Sequence, residues 1–189
     1  MDIHQHKLKV AKQLTSPNCD DRPDPDDISL LVIHCISLPP EKFGDDYIDQ
    51  LFCNGLNPDD HPYFREIYRL RVSAHMLIRR DGSLVQYVPF DRRAWHAGVS
   101  CYQGRERCND FSIGIELEGS INQDYTDEQY QHLAELIPAL LANYPGLSPE
   151  RIVGHCDIAP GRKTDPGPTF DWQRLRMSLK GAMTQRRVK

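Results

Sequence analysis

The segment Ile28-Ser29-Leu30-Leu31-Val32-Ile33-His34-Cys35-Ile36 restricts the fold more than any other part of the chain. Apart from Ser29, His34 and Cys35 it is apolar at both parities of an extended backbone. That is the pattern of a strand in the middle of a covered sheet rather than at an edge. Such a strand starts deep and brings an imidazole, His34, out at its end. A second segment, Phe111-Ser112-Ile113-Gly114-Ile115-Glu116-Leu117-Glu118-Gly119, alternates with period two. Ile113, Ile115 and Leu117 share one face, and Gly114, Glu116 and Glu118 share the other. The first face packs. The second offers carboxylates either to solvent or to the floor of a cleft, where small Gly114 is suited.

Shorter signals fill in the rest. Residues 72–78 and 83–90 flank Asp81-Gly82, which predicts two antiparallel strands joined by a two-residue turn. Tyr47, Ile48, Leu51 and Phe52 form a short helical stripe closed by Asn54-Gly55, a pair able to take the left-handed cap. Thr126-Asp127-Glu128-Gln129 is a capping box opening a helix whose apolar stripe runs through Tyr130, Leu133, Ala134, Ile137, Leu140, Leu141 and Tyr144. Pro138 lies inside that helix and should kink it or split it near Ala134. A last helix over about residues 171–183 shows Trp172, Leu175 and Leu179 at helical spacing. Residues 15–27 hold three prolines and five aspartates and predict irregular backbone. The expectation is a single α/β domain with a mixed central β-sheet covered by helices. It has an irregular N-terminal arm over 1–27, a catalytic body over 28–183 and a short basic tail over 184–189.

Charge and composition exclude several classes. The 189 residues carry 23 basic and 27 acidic side chains, net −4, and the one basic block is Arg186-Arg187-Val188-Lys189. A nucleic-acid partner is not expected without a basic face. The N-terminus lacks an apolar export core, and no stretch approaches the roughly 18 apolar residues that span a bilayer, so a cytoplasmic, membrane-free protein is expected. Six cysteines without an export signal read as reduced thiols. No obligate protein partner is evident.

Against this background three polar residues stand out. His34 ends the first apolar strand, His155 follows Ile152-Val153-Gly154, and Asp165 comes ten residues later. Two imidazoles and a carboxylate are three protein ligands of a catalytic zinc site. Its fourth position keeps a water whose pKa falls from about 15.7 toward about 7. Each residue alone also has a structural explanation: a hydrogen-bonded core histidine, or an aspartate initiating the turn at Pro166-Gly167. No fixed-spacing His-Glu-x-x-His motif is present. Cys35 and Cys156 adjoin the histidines, but neighbours on a strand point apart, which weakens a thiol-nucleophile reading.

The motifs Leu31-Val32-Ile33-His34, Ser73-Ala74-His75, Ile78-Arg79-Arg80-Asp81-Gly82, Ala94-Trp95-His96-Ala97-Gly98, Ser112-Ile113-Gly114-Ile115-Glu116, Gly154-His155 and Arg162-Lys163-Thr164-Asp165-Pro166-Gly167-Pro168 occur in the order seen in the type 2 N-acetylmuramoyl-L-alanine amidases. From about residue 12 to about residue 180 the chain resembles that family, and most of all its cytosolic members acting on 1,6-anhydro-muropeptides. The resemblance implies the fold shared by these amidases and the peptidoglycan recognition proteins. It implies one zinc ion per chain on His34, His155 and Asp165, Glu116 as general base, and Lys163 stabilising the transition state. It places Tyr47 and Trp95 along a substrate groove, and Arg71, Arg107 and Arg162 against the peptide carboxylates. The implied reaction cuts the amide between the muramic lactyl group and L-alanine, in cell-wall muropeptide recycling. Since peptidoglycan recognition proteins bind without cutting, a non-catalytic muropeptide-binding module is the alternative. Such proteins commonly replace a metal ligand, and here all three candidates are present.

Overall fold

The computed structural model describes the backbone of residues 1–186 and the side chains of residues 1–181. Its centre is a six-stranded mixed sheet built from β1 (Lys12–Gln13), β2 (Leu30–Ile36), β3 (Met76–Ile78), β4 (Leu84–Gln86), β5 (Ser112–Glu118) and β6 (Ile152–Gly154). The spatial order is β6-β2-β5-β3-β4-β1. Neighbours run parallel except β3 and β4, the hairpin pair. β2 therefore has a partner on each edge, as its two-sided apolar pattern requires.

Among the described residues, five helices cover the sheet: α1 (Tyr47–Phe52), α2 (Phe64–Ile67), α3 (Asp127–Asn143), α4 (His155–Ile158) and α5 (Trp172–Arg186). Leu31 and Ile33 of β2 and Ile113, Ile115 and Leu117 of β5 pack with Leu133, Ile137 and Leu140 of α3 and Leu175 and Leu179 of α5. The opposite face is shared between two smaller clusters. Leu30, Val32, Phe111 and Ile158 make one, and Leu77, Val85 and Tyr87 with α1 and α2 make the other. Strand alternation thus delivers His34, Gly114 and Glu116 to the side away from α3 and α5.

Local signals explain most element ends. The Thr126 hydroxyl accepts from the Gln129 N–H and the Gln129 side chain accepts from the Thr126 N–H, the reciprocal capping box at the start of α3. Asn54 takes the left-handed conformation after α1, with φ 61°.

Three expectations are corrected. The β3–β4 turn is not a two-residue hairpin: Arg79 pairs with Ser83, leaving three residues between them, with Gly82 at φ 85°. A left-handed glycine closing such a turn is the bulged solution, which Asp-Gly serves as well as the tighter one. α3 runs unbroken through Pro138, because its buried stripe against the sheet outweighs one missing N–H. Finally, Cys19–Asp21 is a strand paired with Arg92–Ala94, despite the prolines and aspartates around it. Asp20 and Asp21 face Arg93 and Arg92 across that ladder, so opposite charges stabilise an edge that composition disfavours. Within the expected basic tail, α5 continues to Arg186, and residues 187–189 lie outside the described residues.

Candidate active site

Parallel pairing of β2 with β5 puts His34 and Glu116 directly opposite each other. β6 ends at Gly154, and His155 is the first residue of α4. The Gly154 N–H donates to Asp157 Oδ2 at 2.7 Å, tying down the strand-to-helix corner. The return loop is fastened by the Cys156 N–H donating to the Asp165 carbonyl at 3.0 Å and by Tyr125 Oη–H donating to the Pro166 carbonyl at 2.7 Å. These ties bring three residues remote in sequence to one point.

At that point His34 Nδ1 lies 3.0 Å from His155 Nδ1 and 3.2 Å from Asp165 Oδ2, and His155 Nδ1 lies 3.1 Å from the same oxygen. Both imidazoles are buried and Asp165 nearly so. Nitrogen and oxygen ligands at about 2.0–2.2 Å around a tetrahedral ion are separated by roughly 3.3 Å, close to these edges. The donor set also fits chemically. His155 Nε2 lies 3.1 Å from the carbonyl oxygen of Ala97, an acceptor for the ring's proton when Nδ1 gives its lone pair to a cation. Converging lone pairs need a cation between them, and this group could hold a metal ion.

Burial lowers the His34 pKa to about 4, against the opposing pull of the Asp165 carboxylate. Burial alone would raise Asp165, but the His155 and His34 imidazoles beside it override that and hold the carboxyl well below its usual range. Glu116 is driven the other way. Desolvation, and then the Asp165 charge, raise it well above a normal carboxylate, opposed by the charge of Lys163. Its Oε2 is buried without a hydrogen-bond partner, in contrast to the fully engaged Glu118 two residues on. The second face of β5 is thus the floor of a site and not a solvated surface. Lys163 itself is exposed on the loop that leads to Asp165, and its charge reaches both His34 and Glu116.

The remaining candidates are more dispersed. Trp95 is half-buried, with its indole N–H donating to Asp20 Oδ1 at 3.1 Å. Tyr47 packs on Phe64 with ring centroids 4.7 Å apart. Arg162 donates to the carbonyls of Ala97 and Val99, both at 2.6 Å, and its guanidinium lies 3.5 Å from His155 Nε2. Arg107 is exposed, pairs with Asp110 at 3.1 Å, and borders with Arg162 a hollow of about 500 Å³. Arg71 donates to the Arg69 and Leu70 carbonyls on an exposed loop. All six cysteines are free thiols. Cys35 lies on the opposite face of β2 from His34, where burial raises its pKa to about 12, so it is no ready nucleophile.

Sequence reasoning assigned no role to His96 or His75, yet both rings lie beside the site. His96 Nδ1 is 2.9 Å from His34 Nε2, and His75 Nδ1 accepts the Gly114 N–H at 3.0 Å. Burial lowers His75 to about 3 and His96 well below the ordinary histidine value. A lone histidine beside tryptophan or alanine gives no sequence signal of such packing.

A family model described as N-acetylmuramoyl-L-alanine amidase matches residues 24–168. The chain is 59% identical over 179 residues to the 1,6-anhydro-N-acetylmuramyl-L-alanine amidase AmpD of Haemophilus influenzae, covering 95% of this chain and 97% of that protein. It is 60% identical over 177 residues to the same-named protein of Escherichia coli K12, covering 94% and 96%. Among solved structures, the crystal structure of a selenomethionyl AmpD derivative superposes with TM-score 0.92 at 59% identity, covering 95% of this chain and 99% of that one. The Escherichia coli amidase AmiD, solved with the substrate anhydro-N-acetylmuramic acid-L-Ala-D-γ-Glu-L-Lys, matches with TM-score 0.57 at 31% identity, covering 91% of this chain and 60% of that one. By its sheet, its converging histidines and aspartate, and these likenesses over nearly its whole length, the chain belongs to the N-acetylmuramoyl-L-alanine amidase family.

Proposed function

We propose that this chain is a zinc-dependent amidase that hydrolyses the amide between the lactyl group of 1,6-anhydro-N-acetylmuramic acid and L-alanine of the stem peptide. The observation that carries this reading is the triangle of His34 Nδ1, His155 Nδ1 and Asp165 Oδ2 beside an unpartnered buried carboxylate oxygen of Glu116. His34, His155 and Asp165 would hold the ion, one per chain. Bound there, zinc supplies a Lewis acid that makes water nucleophilic at neutral pH.

The other residues act on protons and charge. Glu116 Oε2 is free to take the proton of the attacking water and to return it to the departing alanine nitrogen as the C–N bond breaks. Burial, which favours the protonated carboxyl, suits that second delivery. Lys163 brings the positive charge that offsets the oxyanion forming as the carbonyl becomes tetrahedral. Trp95 and Tyr47 would line the groove, with Arg71, Arg107 and Arg162 gripping stem carboxylates through planar guanidinium groups. Arg162 and Arg107 are the better placed, since they border one hollow and Arg162 also lies 3.5 Å from His155 Nε2.

No helix among the described residues is long and apolar enough to cross a membrane. The anhydro-substrate named for the relatives supports a cytoplasmic enzyme working on soluble recycled muropeptides.

The test is mass spectrometry of anhydromuramoyl-tripeptide incubated with zinc-loaded protein and with chelator-treated protein. Free tripeptide from the first and intact substrate from the second is the expected result. Intact substrate in both, with saturable binding, would identify a binding module instead.

A further inference from the structure

Two consecutive residues outside the ligand triangle touch both of its imidazoles. His155 Nε2 meets the Ala97 carbonyl oxygen at 3.1 Å, and His34 Nε2 meets His96 Nδ1 at 2.9 Å. The first contact gives the His155 Nε2–H an acceptor, but Asp165 Oδ2, which also only accepts, lies 3.1 Å from His155 Nδ1, so the His155 proton is placed on Nε2 only when a cation occupies the triangle. The second is between two nitrogens and fixes nothing until the polarity of His96 is known.

That polarity is set further back. Ser112 Oγ–H donates to the Cys108 carbonyl at 2.5 Å, so its only proton is engaged and its oxygen faces His96 Nε2, at 3.1 Å, as an acceptor. His96 therefore carries its proton on Nε2. A second proton would be a buried cation packed against His34 and His75, which is strongly unfavourable. His96 Nδ1 is then an acceptor, His34 Nε2–H is the donor, and His34 Nδ1 is left bare toward His155 and Asp165. The ring also has a reserved place: a Cβ on Gly114 would lie 2.5 Å from His96 Cγ. The backbone of the pair is held by one side chain, since Asn109 Oδ1 accepts the N–H of His96 at 3.1 Å and of Ala97 at 2.8 Å.

We propose that His96 sets the proton position of the metal-facing His34, with Ser112 and Asn109 as positioning residues behind it, and that the Ala97 carbonyl receives the His155 proton when a cation is bound. Ser112 gives direction to the chain Cys108 carbonyl, Ser112, His96, His34. Asn109 keeps the ring of His96 and the carbonyl of Ala97 aimed at their two targets. The inference rests on reading His34, His155 and Asp165 as a metal site, and it explains how His34 is made to present Nδ1. Hydrogen-bond partners of ligating histidines typically contribute 10–100-fold in metal affinity.

The test uses the full-length protein. Zinc affinity is measured by chelator competition, and histidine tautomers are read from two-bond ¹H–¹⁵N spectra of the metal-free protein. Wild type is expected to show His34 protonated at Nε2. Ser112→Ala is expected to lose zinc affinity by roughly 10–100-fold and to show mixed His34 tautomers, with His155 unchanged. Ser112→Thr, which keeps the hydroxyl, is expected to restore both readouts. Asn109→Ala should weaken zinc while disturbing both histidines. Wild-type zinc affinity and an unchanged His34 tautomer in folded Ser112→Ala would overturn the proposal. So would weakened zinc binding with His34 still wholly Nε2-protonated, since the loss would then be one of packing. If wild type binds no zinc, the metal reading fails, whereas the tautomer spectra still decide the relay.

Discussion

Gly114→Ala is the substitution that most directly probes how the site is packed. The added methyl would lie 2.5, 2.6 and 2.8 Å from three ring atoms of His96, distances that real Cβ atoms do not adopt. The backbone cannot yield easily. Gly114 sits in β5 opposite Val32 of β2, its N–H donates to His75 Nδ1 at 3.0 Å and its carbonyl accepts from the His75 N–H at 3.1 Å. The imidazole must therefore move, which breaks its 2.9 Å contact with His34 and its 3.1 Å contact with Ser112. Overpacking costs about 1–3 kcal/mol, and each buried group left unsatisfied about 1–3 kcal/mol more. Replacing a strand glycine returns roughly 0.5–1 kcal/mol of backbone entropy. The net expectation is a loss of about 2–8 kcal/mol, or at least about 4 °C in Tm for a chain of this size. Equilibrium urea unfolding of the metal-free protein measures it. Gly181→Ala serves as control: it sits in helix α5 with nothing within 4 Å, and should stabilise by up to about 1 kcal/mol. A Gly114→Ala protein within about 1 kcal/mol of wild type would refute the claim that glycine is required by the His96 ring.

Three further outcomes are expected. Lys163→Ala should keep its fold and its zinc while kcat falls about 10²–10³-fold, or about 2.7–4 kcal/mol, the usual cost of one lost oxyanion donor; activity restored by excess zinc would show that the lysine only assists metal binding. Asp165→Ala should no longer retain stoichiometric zinc by elemental analysis after gel filtration, because two histidines alone do not complete the site; full zinc in the folded variant would remove Asp165 from the ligand set. Glu116→Gln should be inactive yet more stable than wild type when metal-free at pH 7. A carboxyl whose folded pKa is raised lets the folded state hold a proton the unfolded state has lost, so wild-type stability declines as pH rises above about 4.5 and the variant escapes that decline. Equal stability gains at pH 4 and pH 7 would contradict this linkage.

The strands that carry the site were readable because each answers to a local periodicity. Both parities of residues 28–36 are apolar, and that is sufficient to demand two neighbours and two covered faces, which β6, β5 and the helices provide. The capping box at Thr126 is equally local, satisfied within four residues. The N-terminal arm failed for the complementary reason. Asp20 and Asp21 look like loop residues until they meet Arg93 and Arg92, more than 70 positions away. Arg22, in the same stretch, is buried and donates to the carbonyls of Asn109, Asp110, Phe90 and Ser112. No window of sequence contains those partners.

The active site divides along the same line. Its candidate ligands were legible because a histidine at the end of a buried strand and an aspartate in a Pro-Gly loop are chemical types with a limited set of uses, and the surrounding motifs narrowed them further. What was not legible is the direction of the hydrogen bonds behind them. Residue identity says that His96 and Ser112 can each donate and accept, so four polarities of the chain from Ser112 to His34 are open on paper. One geometric fact, a hydroxyl committed to the Cys108 carbonyl, removes that freedom and propagates through two rings to the ligand. The chemistry of the triangle is thus written in three residue types, whereas its readiness for a metal depends on a backbone oxygen that any residue at position 108 would supply, provided the short helical turn at Cys108–Asp110 keeps its place under β5.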